Sequence, residues 1–213
     1  VTAWAVEGLS LQPFPVVLNA DGSFFGVAGA FALLPEAYTG DFLKLQRAQD
    51  EALAARGPAV AKRFGKVTPG TVAFTNVRMF DAEKAVFVDG QTVAVEGGKI
   101  VMVGPTAAIS LPASARIIDG TGKTLTPGIW DAHLHVGSDA QGVMLLSMGE
   151  TSARDPGADV PGTIARKARI AKGELLFPTV YSSTLIDGKG PLAAQGGAVV
   201  SSAEEAVAAV RKA

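Results

Sequence analysis

Cysteine is absent from the 213 residues, which excludes disulfides, thiolate zinc sites and a cysteine nucleophile but leaves the compartment open. An excess of one charge is also missing. The 19 basic and 20 acidic residues leave a formal net charge of -1, and no Lys/Arg-rich run is set to neutralise a row of phosphates, so nucleic acid is not an expected partner. Long hydrophobic runs are lacking as well. The most apolar stretch, Phe24 to Leu34, is broken by glycines and stopped by Pro35, short of the roughly 18 residues a membrane helix needs. No membrane span is expected. The chain opens on Val1 without a basic segment leading into an apolar one, the pattern of an excerpt or a processed product. What is plentiful is apolar surface: 48% hydrophobic against 18% charged residues is a globular balance with a core to bury, not a disordered one.

Along the chain the pattern changes twice, giving three expected parts: 1–66, 67–126 and 127–213. In the first, Trp4, Val6 and Leu9 precede a Pro-Phe-Pro stretch. Val16-Val17-Leu18 is joined to Phe24-Phe25 through Asn-Ala-Asp-Gly, a hairpin signal. From Asp41 to about Arg56, Leu45, Ala48, Ala52 and Ala55 recur at helical spacing. Asp41 is placed to cap this helix and Gly57-Pro58 to end it, with a loose connection following to about residue 70. The second part is a run of short strands punctuated by Gly97-Gly98, Gly104-Pro105 and Asp119-Gly120, which predicts a small antiparallel sheet or half-sandwich with a tight positive-φ hairpin at the paired glycines. After Pro127, apolar strands at Ile129 to Val136, Glu150 to Arg154 and Phe177 to Ser183 alternate with helical segments at Val160 to Lys172 and Ser202 to Lys212, the latter capped by Ser202. That rhythm predicts parallel pairing.

Histidine occurs only twice, at His133 and His135. On a strand, Asp131, His133 and His135 share one face and Ala132, Leu134 and Val136 the other. Two imidazoles on one face can place nitrogens on a single ion at about 2.0–2.1 Å for zinc, and a carboxylate one step deeper can orient a ring through its second nitrogen. An ordinary pair of hydrogen-bonded strand histidines fits the same spacing. Other motifs carry less. Gly120-Thr-Gly-Lys-Thr124 lacks the earlier glycine of a P-loop and reads as a turn, and no serine sits in Gly-x-Ser-x-Gly. The Gly188 to Gly197 stretch reads as a loop.

The run Leu125-Thr-Pro-Gly-Ile-Trp-Asp-Ala-His-Leu-His-Val136 resembles the first barrel strand of the amidohydrolase superfamily, "L-x-P-G-x-x-D-x-H-x-H". Val95-Glu-Gly-Gly-Lys-Ile-Val-Met-Val-Gly104 and Ile118-Asp-Gly-Thr-Gly-Lys-Thr-Leu-Thr-Pro-Gly128 are similar to that family's preceding sheet. Met148-Gly-Glu-Thr-Ser-Ala-Arg-Asp155, Ala171-Lys-Gly-Glu174 and Val200-Ser-Ser-Ala-Glu-Glu-Ala206 resemble its imidazolonepropionase-like and prolidase-like members. The resemblance covers residues 70–213. It implies an α/β fold with an all-β part: a small antiparallel β-sandwich, then the first three or so βα units of an incomplete (β/α)8 TIM-like barrel, preceded here by an N-terminal β-hairpin and helix.

The resemblance further implies that His133 and His135 bind a divalent metal, zinc first, with one or two ions in a complete barrel. Asp131 matches the motif's aspartate without an implied ligand role. Arg154 and Asp155 match the end of the second strand, where a place at the substrate rim stands beside an ion pair or a capping carboxylate. The family's remaining ligands and its catalytic aspartate lie on later strands. No histidine follows His135, and Lys172 and Lys189 fall at a helix end and in a turn, so no catalytic residue is assigned. The expected activity is hydrolysis of an amide, cyclic amide or dipeptide C–N bond by metal-activated water, in a longer parent of which these residues alone are inactive. The alternative is a non-catalytic binding or assembly module on the same framework. Partners are a small-molecule or dipeptide substrate, together with the missing barrel half or a homo-oligomer to cover open strand edges. The N-terminal extension resembles that of some exported bacterial members, a lean toward an extracytoplasmic location.

Overall fold

A computed structural model of the chain describes residues 1–8, 13–28, 32–158, 160–193 and 197–212. Leu9, residues 29–31 of the apolar stretch and residues 194–196 of the Gly188–Gly197 loop lie outside the described residues. The chain divides into two compact units, Lys66–Gly128 and a second made of Val1–Gly65 with Ile129–Ala213.

In the second unit, β1 (Thr2–Val6), β2 (Phe14–Leu18) and β3 (Phe24–Gly26) form an antiparallel sheet in that order. The expected turn between β2 and β3 is present. Gly22 takes φ +82°, and the Asp21 carboxylate accepts from the Ser23 amide at 3.0 Å and its hydroxyl at 2.7 Å, bonds that hold the Asp21 carboxyl below its ordinary pKa. A 3-10 turn over Glu36–Asp41 runs directly into α1 (Phe42–Ala54). Asp41 therefore makes no side-chain cap, contrary to expectation: the preceding turn already sets the helical direction, and the Phe42 amide bonds to the Thr39 carbonyl. The expected loose connection after Gly57 is in fact α2 (Gly57–Phe64). Pro58 sits in its first turn, where an amide donor is not needed and a fixed φ favours helix.

The Lys66–Gly128 unit is one five-stranded sheet. β4 (Val72–Asp81), β5 (Val86–Glu96) and β6 (Lys99–Pro105) are antiparallel. Gly97 and Gly98 make the two-residue turn between the last two with φ of +57° and +76°, the handedness that matches strand twist. The expectation of an antiparallel sheet fails beyond this point. β7 (Arg116–Asp119) and β8 (Thr124–Leu125) both pair parallel to β4, because residues 106–115 carry the chain from the β6 edge to the opposite edge of the sheet, where it runs in the direction of β4. No second sheet forms in this unit among the described residues.

From Ile129 onward, β9 (Ile129–Asp131), α3 (Ala140–Ser147), β10 (Glu150–Asp155), α4 (Val160–Ala171) and β11 (Thr179–Ser182) alternate. The three strands pair in parallel, with β10 between β9 and β11. β12 (Ile186–Gly188) and β13 (Ala198–Val200) form a separate parallel pair, followed by α5 (Ala203–Lys212). Ser202 caps α5 as expected: its hydroxyl accepts from the Glu205 amide at 3.2 Å, and Glu205 reaches back to the Ser201 amide at 2.6 Å. The core against the three strands is Leu145, Ala153, Leu175, Phe177 and Val180, with Leu134, Val136 and Ile170 packed onto it. Each large apolar side chain buried there contributes about 1.5–3 kcal/mol. Gly142 of α3 lies so close to the backbone at Leu176 and the ring of Phe177 that a Cβ would fall 2.2 Å and 2.3 Å from them. Trp130 and Tyr181 stack on each other, with centroids 5.1 Å apart, and remain about half exposed. Among the described residues no helix is long and apolar enough to cross a membrane.

Candidate functional site

The strand expected from Ile129 to Val136 stops at Asp131. Its side chain causes the break: Asp131 Oδ1 accepts from the His133 amide at 2.9 Å, an Asx turn that satisfies a donor the ladder would otherwise use. The Leu134 amide still donates to the Arg154 carbonyl at 2.8 Å, so the segment follows the end of β10 without being a strand. Alternation along a strand therefore does not bring the histidines together. The bend does. His133 Nε2 and His135 Nε2 lie 3.3 Å apart, with the ring centroids 5.1 Å apart and the ring planes at 80°.

Asp155 organises one of these rings. Its side chain is only 4% exposed. Oδ1 lies 3.2 Å from His135 Nδ1 and accepts from the Gly157 amide at 3.1 Å, and Oδ2 accepts from the Val136 amide at 3.1 Å. An ionised carboxylate only accepts, so the contact calls for a proton on His135 Nδ1 and leaves the Nε2 lone pair facing His133. On a continuous strand this orienting role would fall to the carboxylate one step deeper, Asp131. The structure gives it to Asp155, twenty residues on, because β10 ends beside the loop after β9. Arg154 is exposed and contributes its carbonyl to Leu134; its side chain is not part of the cluster.

Two further residues shape the loop. Gly157 leaves His135 room, since a Cβ there would sit 3.2 Å from the ring Cε1. Gln141, in the first turn of α3, accepts through Oε1 from the Gly137 amide at 2.6 Å and the Ser138 amide at 3.0 Å. Nothing in the sequence singled out Gln141, because a glutamine near a helix start is an ordinary surface choice. Asp139, at the start of the same helix, is paired with Arg166 at 3.2 Å and with Arg169, whose other nitrogen donates to the Ala54 carbonyl at 3.0 Å. Asp50, near by, has its carboxyl pKa raised by burial and then by the charge of Asp139.

The 3.3 Å separation of the two Nε2 atoms fits both a hydrogen bond between the rings and the gap that a shared divalent cation requires. Two nitrogens on a tetrahedral ion with bonds of 2.0–2.1 Å stand about 3.3–3.4 Å apart, the separation found between the two Nε2 atoms. The carboxylate behind His135 is the outer partner that imidazole ligands commonly carry. The pair is also open, with the His135 side chain 66% exposed, and among the described residues no group of three or more His, Cys, Asp or Glu stands ready to hold a metal. Two nitrogens are half of the donors that a tetrahedral ion takes.

No family model matches the chain. Over 70 residues it is 33% identical to adenine deaminase 3 of Rhizobium meliloti, a match covering 33% of this chain and 12% of that protein. Over 77 residues it is 31% identical to the enamidase of Eubacterium barkeri, covering 36% and 17%. A solved protein of Bifidobacterium longum described as a prolidase superposes with a TM-score of 0.57 at 25% identity, covering 67% of this chain and 38% of that one. The matches to the two curated relatives thus span less than a fifth of their length.

Proposed function

We propose that this chain, a member of the amidohydrolase superfamily over the residues its relatives match, supplies the first βα units of a barrel hydrolase that cleaves C–N bonds, with His133 and His135 as two ligands of its divalent-metal site. The observation that supports this reading most is the 3.3 Å approach of the two Nε2 atoms with His135 held by the buried Asp155. A divalent ion held there would polarise the scissile group and bring the pKa of a water toward about 7. The chain's own residues do the positioning. Asp155 fixes the tautomer and plane of His135, the Asx turn at Asp131 aims His133, and Gly157 keeps the approach to the ring clear. Zinc is the first candidate, because paired imidazoles suit it.

The substrate class is an amide, cyclic amide or dipeptide, consistent with relatives named for a deaminase, an enamidase and a prolidase. Two donors bind a metal weakly, so the 213-residue chain is expected to take up one zinc per chain at modest affinity and to turn over none of these substrates. Calorimetric titration with zinc tests the site. Loss of uptake in His133→Ala and in His135→Ala supports it, and uptake unchanged in both sinks it. The exposed Trp130 and Tyr181 fit a further barrel segment or a second copy as cover, which sedimentation of the chain examines. A second reading, a non-catalytic module on the same framework, draws on the missing third donor among the described residues. Absence of metal-dependent turnover in a longer natural form containing the whole barrel would favour it.

A further inference from the structure

We propose that Gln141 is a positioning residue for His135. The peptide plane joining His135 to Val136 is held at both edges: its carbonyl accepts from Gln141 Nε2 at 3.4 Å, and its amide donates to Asp155 Oδ2 at 3.1 Å. Rotating that plane would break both bonds and take from Asp155 one of the donors that orient the carboxylate, whose other oxygen meets His135 Nδ1. Gln141 also fixes the two peptides that follow, through the Gly137 and Ser138 amides, at a glycine whose backbone would otherwise move freely. The task needs a carboxamide. A carboxylate accepts from the two amides but cannot donate to the His135 carbonyl, and an ammonium or guanidinium donates but cannot accept. Asp155 thus grips the ring and one edge of the plane, and Gln141 grips the other edge.

The test compares the full chain with Gln141→Leu, which removes all three bonds at similar volume, and Gln141→Glu, which keeps the two amide bonds and loses the carbonyl one. The first readout is metal-free: nitrogen NMR of the histidine rings at a pH where both are neutral reports the share of His135 carrying its proton on Nδ1. The second is zinc affinity, which rests on the two-ligand reading above. In Gln141→Leu the Nδ1 form is expected to fall toward a mixture of tautomers and zinc to bind about tenfold more weakly, with Gln141→Glu between it and the parent. A wild-type tautomer share in both variants overturns the proposal and leaves Gln141 as a turn cap only. If the parent binds no zinc and Gln141→Leu still shifts the tautomer, the positioning role stands and the metal reading falls. Should Gln141→Leu fail to fold, Gln141→Glu decides by the same NMR measurement.

Discussion

Replacing Asp155 by Asn is the sharpest single perturbation of the site, because it changes one atom type in a side chain that is only 4% exposed. The carboxylate has three donors aimed at it: His135 Nδ1 and the Gly157 amide at Oδ1, and the Val136 amide at Oδ2. An asparagine has one oxygen. Placed toward His135 and Gly157, it presents its own NH2 to the Val136 amide, donor against donor; flipped, it spoils two contacts instead of one. The smaller loss is one charge-assisted hydrogen bond with its half-buried donor left unpaired, about 2 kcal/mol, which for a chain of this size lowers the melting temperature by about 4–8 °C. The His135 ring also loses the charge that fixed its tautomer, and outer partners of this kind are worth about 10–100-fold in metal affinity. Thermal melting followed by circular dichroism and calorimetric zinc titration measure the two effects separately. An Asp155→Asn protein that melts and binds zinc like the parent would refute the assignment of Asp155 as the organiser of the site.

Three other perturbations have definite expected outcomes. Gly142→Ala places a methyl 2.2 Å from the Leu176 carbonyl and 2.3 Å from the Phe177 ring; backbone cannot yield as a side-chain tip can, so destabilisation of about 3 kcal/mol or more is expected in a denaturant titration. Asp119 has its pKa lowered by hydrogen bonds from Asn76 and then from Thr121. A depressed carboxylate stabilises the fold above its unfolded pKa of about 3.9 and loses that contribution as pH falls through the folded value. Asn76→Gly keeps the positive φ of +57° at this position and removes the donor, so carbon NMR titration should show the Asp119 pKa rise, and the fall in stability on acidification should become shallower, the variant being less stable above the unfolded pKa. Asp50 has the opposite sign: its raised pKa, from burial and then from Asp139, means the folded chain holds that proton more tightly and loses stability as pH rises through the window between the unfolded and folded values. Asp50→Asn should therefore melt higher than the parent near neutral pH and equally in acid; an equal gain at both would show that charge is not the cause.

What could be read from the residues alone was whatever local rules govern. The paired glycines 97 and 98 announced their turn, Ser202 its cap, and the two histidines their meeting, because each depends on neighbours within a few positions. The meeting was anticipated for the wrong reason. Alternation suggested a strand through Val136, whereas the Asp131 side chain competes for the His133 amide and bends the chain. For Asp155 the residues announce a carboxylate at the substrate rim, in an ion pair or in a cap, but not its partners, since its contacts reach back nineteen and twenty residues and depend on where β10 ends beside β9. The parallel seating of β7 and β8 was missed for a similar reason: strand direction is set by a crossover whose path leaves no mark in the hydrophobic pattern. The helix after Gly57 is masked in the sequence by its proline, which after a helical pattern reads as an end and at a first turn serves as a beginning.

The early stop of β9 at Asp131 separates two kinds of tolerance in this segment. Had the histidines stood within the ladder, any adjustment of ring spacing would have required a change of strand register, and a slip of one residue would have turned the whole apolar set outward. With the rings on a bend beyond the ladder, their spacing is set by side-chain and loop contacts, Asp155 at the end of β10 foremost, and not by the alternation of a strand. Substitutions at positions 141, 155 and 157 would therefore alter how the two imidazoles face each other before they altered the sheet beneath. A descendant sequence can thus change the facing of the two rings without first having to refold its scaffold.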